Sequence, residues 1–374
     1  MIPPAAAAEF LARHGWADAQ ILPLAGDASF RRYFRVRHGS RRAVLMDAPP
    51  PHEDPRPFVK VANWLEEIGL VAPRVLAADL DQGLLLLDDL GDRRMREAVD
   101  AEPEAERELY ETAAEVLVAY GPEDERHVQV ARRREAERAV EGEVPRGRGQ
   151  EAGAADHLGH ALRGVVQPPM PGLPPHGIDE WLAELRLFPE WYVPAVGLEP
   201  VNVESWDAAW RELLEPVARD GLGPVTVLRD YHAENVMLID GRGGVERFGL
   251  LDFQDALAGH PAYDLVSVLE DARRDVPAEL ERAMIDRYKA SAKADERFEP
   301  AYWALAAQRN TRILGVFCRL WKRDGKERYK QFQPRMWGLL ERDLAQPALR
   351  PVRDWFDAHV APAFRAAAWE GELA

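Results

Sequence analysis

The chain has 374 residues, 47% of them apolar, with a formal charge of −16 and a pI near 5.2. That apolar share supports a sizeable core and excludes global disorder, and the length suits one large two-lobed domain or two ordinary ones. A field of this sign sets nucleic acid and anionic membranes aside as partners unless it is locally reversed. Cys318 is the only cysteine, so neither an intrachain disulfide nor a cysteine-based metal cluster is available, and its apolar neighbours read as those of a buried thiol. No stretch reaches the roughly 18 apolar residues of a membrane span, and no basic start with an apolar run opens the chain, so a cytoplasmic location is expected.

In chain order, residues 5–14 read as a short helix, followed by Ile21–Leu24 and a turn at Ala25–Ser29. Two strand-like runs, Arg31–Arg37 and Arg42–Asp47, flank the turn residues His38–Arg41 and predict a hairpin. Phe58–Gly69 has apolar residues at helical spacing and ends on a glycine suited to a C-cap. The run Leu84–Leu87 predicts a strand leading into the polar hinge Asp88-Asp89-Leu90-Gly91. Helical patterns dominate from Glu104. Residues 122–168, rich in Glu, Arg, Gly and Ala with little apolar periodicity, read as an insertion. An amphipathic helix is predicted over Trp181–Phe188, loop and strand signals alternate over Pro224–Ile239, and Leu250–Phe253 is a short apolar strand ending on a carboxylate. Helices follow from Tyr263. The expected organisation is an α+β fold with a small antiparallel-sheet N-lobe over 1–90 and a mainly helical C-lobe over 91–374, carrying a flexible insertion at about 121–170.

The chemistry is carried by Leu228-Arg229-Asp230-Tyr231-His232-Ala233-Glu234-Asn235 and, about 17 residues past Asn235, by Leu251-Asp252-Phe253. Phosphoryl transfer leaves little covalent work for a protein. It needs in-line positioning and neutralisation of the charge spread over the transferred group. Magnesium takes oxygen ligands and keeps several waters, so one carboxylate and one amide oxygen suffice, which Asp252 and Asn235 provide. Asp230 then accepts the proton of the attacking hydroxyl. Alone, any of these residues reads as an ordinary loop or cap residue; the spacing of all three points to ATP and Mg²⁺ as cofactors.

This pattern resembles the aminoglycoside phosphotransferase and choline-kinase branch of the protein-kinase-like fold. His232, two residues after Asp230, matches the small-molecule branch, and the runs Asp252–Ala256 and Pro261–Leu265 extend the match. The resemblance implies that His232 and Asp264 support the catalytic loop; the alternative for Asp264 is a carboxylate facing a helix dipole. Within the branch, the chain more closely resembles the bacterial anomeric kinases that phosphorylate N-acetylmuramate and N-acetylglucosamine at C1 in cell-wall recycling. Carrying that similarity are Gly26–Arg35, Val44–Pro50, Glu184–Tyr192, Ala307–Gly315 and Gly325–Tyr329. It covers nearly the whole chain outside roughly 121–170 and implies a small-molecule amino-sugar substrate, with Ser29, Asp88 and Leu90 among the nucleotide contacts.

Two departures from the kinase pattern stand out. The loop before the first hairpin has Gly26 alone, and Met46 falls where a kinase carries its third-strand lysine. Strand alternation puts Arg31 and Arg35 on one face and Arg32 on the other, so Arg31 or Arg35 is expected to replace the lysine; exposed strand charges are the other reading. Glu66 offers a helix glutamate but no lysine to pair with it, and Leu228 stands where most relatives have histidine. Gln308, Arg309 and Asn310 would present polar groups to a sugar, or else form a helix-surface cluster. Trp191 and Tyr192 would stack on a sugar face or pack into the core. The competing functions are a kinase of another small hydroxyl compound (aminoglycoside, choline-like or homoserine-like) and a catalytically dead nucleotide-binding module.

Overall fold

The computed structural model describes residues 1–24, 30–118 and 169–370. Ser29 and most of the segment 121–170 lie outside the described residues. The chain divides by its contacts into two units: one holds the described residues up to 118 with Ala233–Asp255, the other those from 169 to His232 with Ala256 onward.

The first unit is built on a five-stranded antiparallel sheet of order β1-β2-β3-β5-β4. Its strands are β1 (Gln20–Pro23), β2 (Arg32–His38), β3 (Arg41–Asp47), β4 (Val75–Asp79) and β5 (Leu84–Asp88). Alternation sorts the faces. Phe34, Val36, Ala43, Leu45, Leu84 and Leu86 form one core with Phe10 and Leu11 of the helix Ala7–Arg13 and with Trp16. The opposite face carries Tyr33, Arg35, Val44 and Met46, with Tyr33 paired to Met46 and Arg35 to Val44.

The partition differs from a boundary near residue 90. The hairpin of β8 (Val236–Leu238) and β9 (Phe248–Leu250) belongs with the sheet unit because its backbone is bonded there. Leu250 N–H donates to Val71 O at 2.8 Å, and Leu238 N–H donates to Arg93 O at 2.7 Å. These are strong main-chain bonds formed across long sequence separations.

The second unit is mainly helical around a small sheet of order β6-β10-β7, formed by Pro175–His176, Leu257–Gly259 and Val225–Val227. The helix Phe298–Lys322 runs through its core. At Gly315 it lies against the backbone of Leu187, where an added Cβ would collide with the Leu187 carbonyl. Phe188 stacks between Tyr192, 4.7 Å away, and Trp206, 5.2 Å away. Tyr192 is therefore a core residue, and its hydroxyl donates to Phe364 O at 2.8 Å. Cys318 is fully buried, and burial pushes its thiol up to about 12. No helix among the described residues is long and apolar enough to cross a membrane.

Three buried carboxyl groups, Glu270, Glu281 and Asp343, gather around Arg342 in this unit. Asn310 donates to Glu270 and Asp343, and Tyr302 Oη donates to Glu281 at 2.8 Å. Burial, reinforced by the Glu270 charge, holds the Glu281 carboxyl well above the ordinary carboxylate range. A carboxyl raised in this way keeps its proton in the native state after the unfolded chain has lost it, so stability falls as pH rises above the ordinary carboxylate pKa. Glu281→Gln is expected to flatten that slope in urea melts run between about pH 5 and pH 8. An unchanged slope would assign the dependence elsewhere.

Candidate active site

The loop that carries Asp230 and Asn235 passes from the second unit to the first between His232 and Ala233. Its two halves are supported separately.

In the second unit, β7 delivers the loop at Leu228. Asp264, in the first turn of the helix Ala262–Leu269, takes Leu228 N–H on Oδ2 at 2.6 Å and Arg229 N–H on Oδ1 at 2.9 Å. These bonds hold Arg229 at φ 73°, a left-handed backbone that costs a branched or long side chain about 1–2 kcal/mol. The brace acts on backbone N–H groups, so it does not depend on the side chain at position 228. Burial raises the Asp264 carboxyl to about 7, against the opposing pull of the two backbone donors. Asp230, half-buried, follows with its N–H on Leu228 O at 2.9 Å, and His232 N–H donates to Asp230 O at 3.0 Å. His232 is buried, and burial lowers its pKa. As a neutral ring it accepts from Arg273 Nη1 at 3.3 Å.

Glu184, which no motif of the sequence singles out for a role, is bonded to the loop through Arg229. Its Oε1 takes Arg229 Nη2 at 2.9 Å and Arg312 Nε at 3.4 Å, and its Oε2 takes Gln308 Nε2 at 3.2 Å with His176 Nε2 at 3.3 Å. Burial works against its charge, yet Arg312, His176 and Arg229 hold its pKa well below the usual range. Asp230 in turn favours the charged form of Arg312, so two guanidinium groups anchored by one carboxylate accompany the loop. The available signal was Gln308 and Arg312, four residues apart on one helix and so on one face of it.

The polar trio expected at a sugar is directed inward. Gln308, Arg309 and Asn310 are 0%, 3% and 0% exposed. Arg309 donates to Ser267 Oγ at 2.9 Å and to Glu270 O at 3.2 Å, and Asn310 donates to Asp343 Oδ2 at 2.8 Å. Buried polar groups need such partners, and these bonds tie helices together. The described contacts of Arg309 and Asn310 are thus structural ones, while Gln308 bonds Glu184.

In the first unit, the β8–β9 hairpin brings Asn235 and Asp252 to one end. Val236 pairs with Leu250, and Leu251 N–H donates to Asn235 O at 2.9 Å, so the stretch between Asn235 and Asp252 folds back on itself. Asp252 adopts φ 58°, a conformation that Asp tolerates better than most residues. Its Oδ1 accepts Gln254 Nε2 at 3.0 Å and Arg31 Nη2 at 3.4 Å. Phe253 packs on Phe58 at 4.9 Å, and an Arg96–Glu234 ion pair fixes the other side of the loop. A carboxylate that already carries a cation, beside an amide-bearing residue, is the all-oxygen donor set that Mg²⁺ accepts.

The structure separates the two arginine candidates. Arg35 is committed to the hinge: Nε lies 2.9 Å from Asp89 Oδ2, Nη1 lies 2.8 Å from Asp92 Oδ1, and Nη2 donates to Gly91 O at 3.2 Å. Arg31 is the one that meets Asp252. Arg32, on the other face, donates from Nε to Asp47 at 2.7 Å. Asp88 pairs with Arg74 at 2.5 Å. Together with Leu90, Gly91, Leu70, Val71 and Leu238 it lines a recess of about 410 Å³ within this unit.

An antiparallel-sheet unit, a mainly helical unit and an Asp–x₄–Asn loop followed by a strand-end Asp define a phosphotransferase of the protein-kinase-like class. The chain belongs to the family described as the phosphotransferase enzyme family, which matches residues 20–302. It is 35% identical to the N-acetylmuramate/N-acetylglucosamine kinase of Caulobacter vibrioides, over 95% of this chain and 96% of that protein. It is also 35% identical to the kinase of the same name from Pseudomonas aeruginosa, over 90% of this chain and 88% of the relative. Among solved structures, a choline/ethanolamine kinase family protein from Mesorhizobium loti shares the fold at a TM-score of 0.53 and 12% identity, covering 90% of this chain and 93% of that one. So does a thermostable aminoglycoside phosphotransferase variant solved with AMP-PNP and hygromycin B, at a TM-score of 0.51 and 15% identity, covering 91% of this chain and 99% of that one.

Proposed function

We propose that this chain is an ATP- and Mg²⁺-dependent kinase that phosphorylates the anomeric C1 hydroxyl of N-acetylmuramate, N-acetylglucosamine or both. The observation that carries the reading is the intact Asp230–Asn235–Asp252 set, in a chain that matches kinases of that name over almost its whole length. Asp230 accepts the proton of the acceptor hydroxyl and orients it for in-line attack. Asn235 and Asp252 hold the metal, which neutralises charge developing on the transferred phosphoryl group. The hinge around Asp88 and Leu90 takes the nucleotide base. His232 and Asp264 keep the loop in its working conformation. On the acceptor side, Arg312 and Arg229 are better placed than Arg309 and Asn310 to meet a carboxylate-bearing sugar, because they accompany the loop that carries Asp230.

The test is a substrate panel. The protein is incubated with ATP, Mg²⁺ and, separately, N-acetylmuramate, N-acetylglucosamine, glucose, choline or kanamycin, and the products are read by mass spectrometry. Transfer to an N-acetylated amino sugar is the expected result. Transfer to choline or kanamycin alone would replace the sugar reading, and no transfer to any of them would favour a nucleotide-binding module.

A further inference from the structure

A protein-kinase site neutralises the nucleotide's inner phosphates with a strand lysine that is held by a helix glutamate. The sheet unit of this chain has no such lysine. Met46, at the corresponding place on β3, is fully buried. Lys60 is the only lysine before Lys289, and it sits on the exposed side of the helix Arg56–Glu67. The cation must come from an arginine.

Of the three arginines in the run 31–35, Arg32 points to the face carrying Asp47. Arg35 spends its guanidinium on Asp89, Asp92 and the Gly91 carbonyl. Arg31 immediately precedes β2, in alternation with Tyr33 and Arg35, and its side chain is only 11% exposed. Its Nη2 lies 3.4 Å from Asp252 Oδ1, and its Nε lies 3.7 Å from Glu53 Oε2. Glu53 is itself fixed, because its Oε1 accepts Phe30 N–H at 3.2 Å. These two carboxylates orient the guanidinium, Glu53 on Nε and Asp252 on Nη2. Two carboxylates around one guanidinium leave an excess negative charge, which a divalent cation on Asp252 would reverse in favour of phosphate.

We infer that Arg31, anchored by Glu53, is the phosphate clamp of this chain, an arginine–glutamate pair standing in for the strand lysine and helix glutamate. Glu53 precedes the helix that would carry the usual glutamate, so both members of the pair have moved along the sequence together. A planar guanidinium suits the role because it can address two phosphate oxygens at once.

The inference rests on the kinase reading above, and its test keeps the two apart. Binding of ATP with Mg²⁺ and, separately, of adenosine is measured by calorimetry on the full chain, for wild type, Arg31→Met, Arg31→Lys and Glu53→Gln. Arg31→Met should weaken ATP by about 10–100-fold, the worth of a charged hydrogen bond, and leave adenosine unchanged. Arg31→Lys and Glu53→Gln should fall between it and wild type for ATP. Adenosine affinity reports that the base site is still folded in each variant. Unchanged ATP affinity in Arg31→Met would overturn the assignment. So would an equal loss of ATP and adenosine in both Arg31 variants, since that is what a purely structural role predicts. A wild-type chain that binds neither ligand would instead sink the kinase reading itself.

Discussion

Asp230→Asn is expected to lower kcat by about 10²–10⁴-fold, the usual worth of a positioned general base, while leaving ATP affinity and thermal stability unchanged. The separation is expected because the loop is held through its backbone. Asp230 N–H is bonded to Leu228 O, and Asp230 O to His232 N–H, so neither bond uses the side chain that is altered. Asparagine has the same shape, and Asp230 is half-buried rather than enclosed, so the fold loses little. What disappears is the capacity to take a proton from a hydroxyl. Single-turnover and steady-state kinetics on the preferred sugar, beside a melting curve and an ATP titration, measure the three quantities independently. A kcat within a few-fold of wild type would remove Asp230 from the base role, whatever happens to affinity.

The parts of this fold that depend on local pattern were legible in the sequence. The hairpin expected over Arg31–Arg37 and Arg42–Asp47 is β2 and β3 to within a residue, and the helix expected over Phe58–Gly69 is Arg56–Glu67. Regular alternation and a glycine stop carry those signals. β4 gave no such signal. Its pairing with β5 shifts register between Val75 and Ala77, so alternation is broken where it would be read. The grouping of β8 and β9 with the sheet unit was also hidden, because it rests on main-chain bonds to Val71 and Arg93 that side-chain identity does not encode. At the candidate site, spacing singles out Asp230, Asn235 and Asp252 but does not choose between Arg31 and Arg35. Alternation sets Arg31, just before β2, in step with Arg35 within it, and only the tertiary partners, Asp252 for one and the hinge carboxylates for the other, tell them apart. A similar limit applied to Gln308–Asn310. A polar trio in an apolar helix serves equally well for a ligand or for buried helix contacts, and here Ser267, Glu270 and Asp343 take two of its members.

Asp264→Ala should produce the largest combined loss, in stability and activity together. The wild-type carboxylate is 4% exposed and is the acceptor for two main-chain donors, Leu228 N–H and Arg229 N–H. Removing it leaves both without that partner, at about 1–3 kcal/mol each, so a loss of roughly 2–6 kcal/mol is expected in urea melts. That is a large part of the typical stability of a folded chain. Activity should fall as well, because the same bonds hold Arg229 at φ 73° immediately before Asp230, and an arginine released from that backbone returns to a cheaper conformation. Asp264→Asn, which keeps one acceptor oxygen, should fall between wild type and Asp264→Ala in both measurements. The pH dependence adds a sign that packing alone does not supply. With its folded pKa raised to about 7, the Asp264 carboxyl keeps its proton after the unfolded chain has lost it, so wild-type stability declines as pH climbs from the ordinary aspartate range toward 7. The gap between wild type and Asp264→Ala should therefore narrow over that interval and hold steady above it. A gap that widened, or a variant as stable and as active as wild type, would mean that the loop is held by something other than this carboxylate.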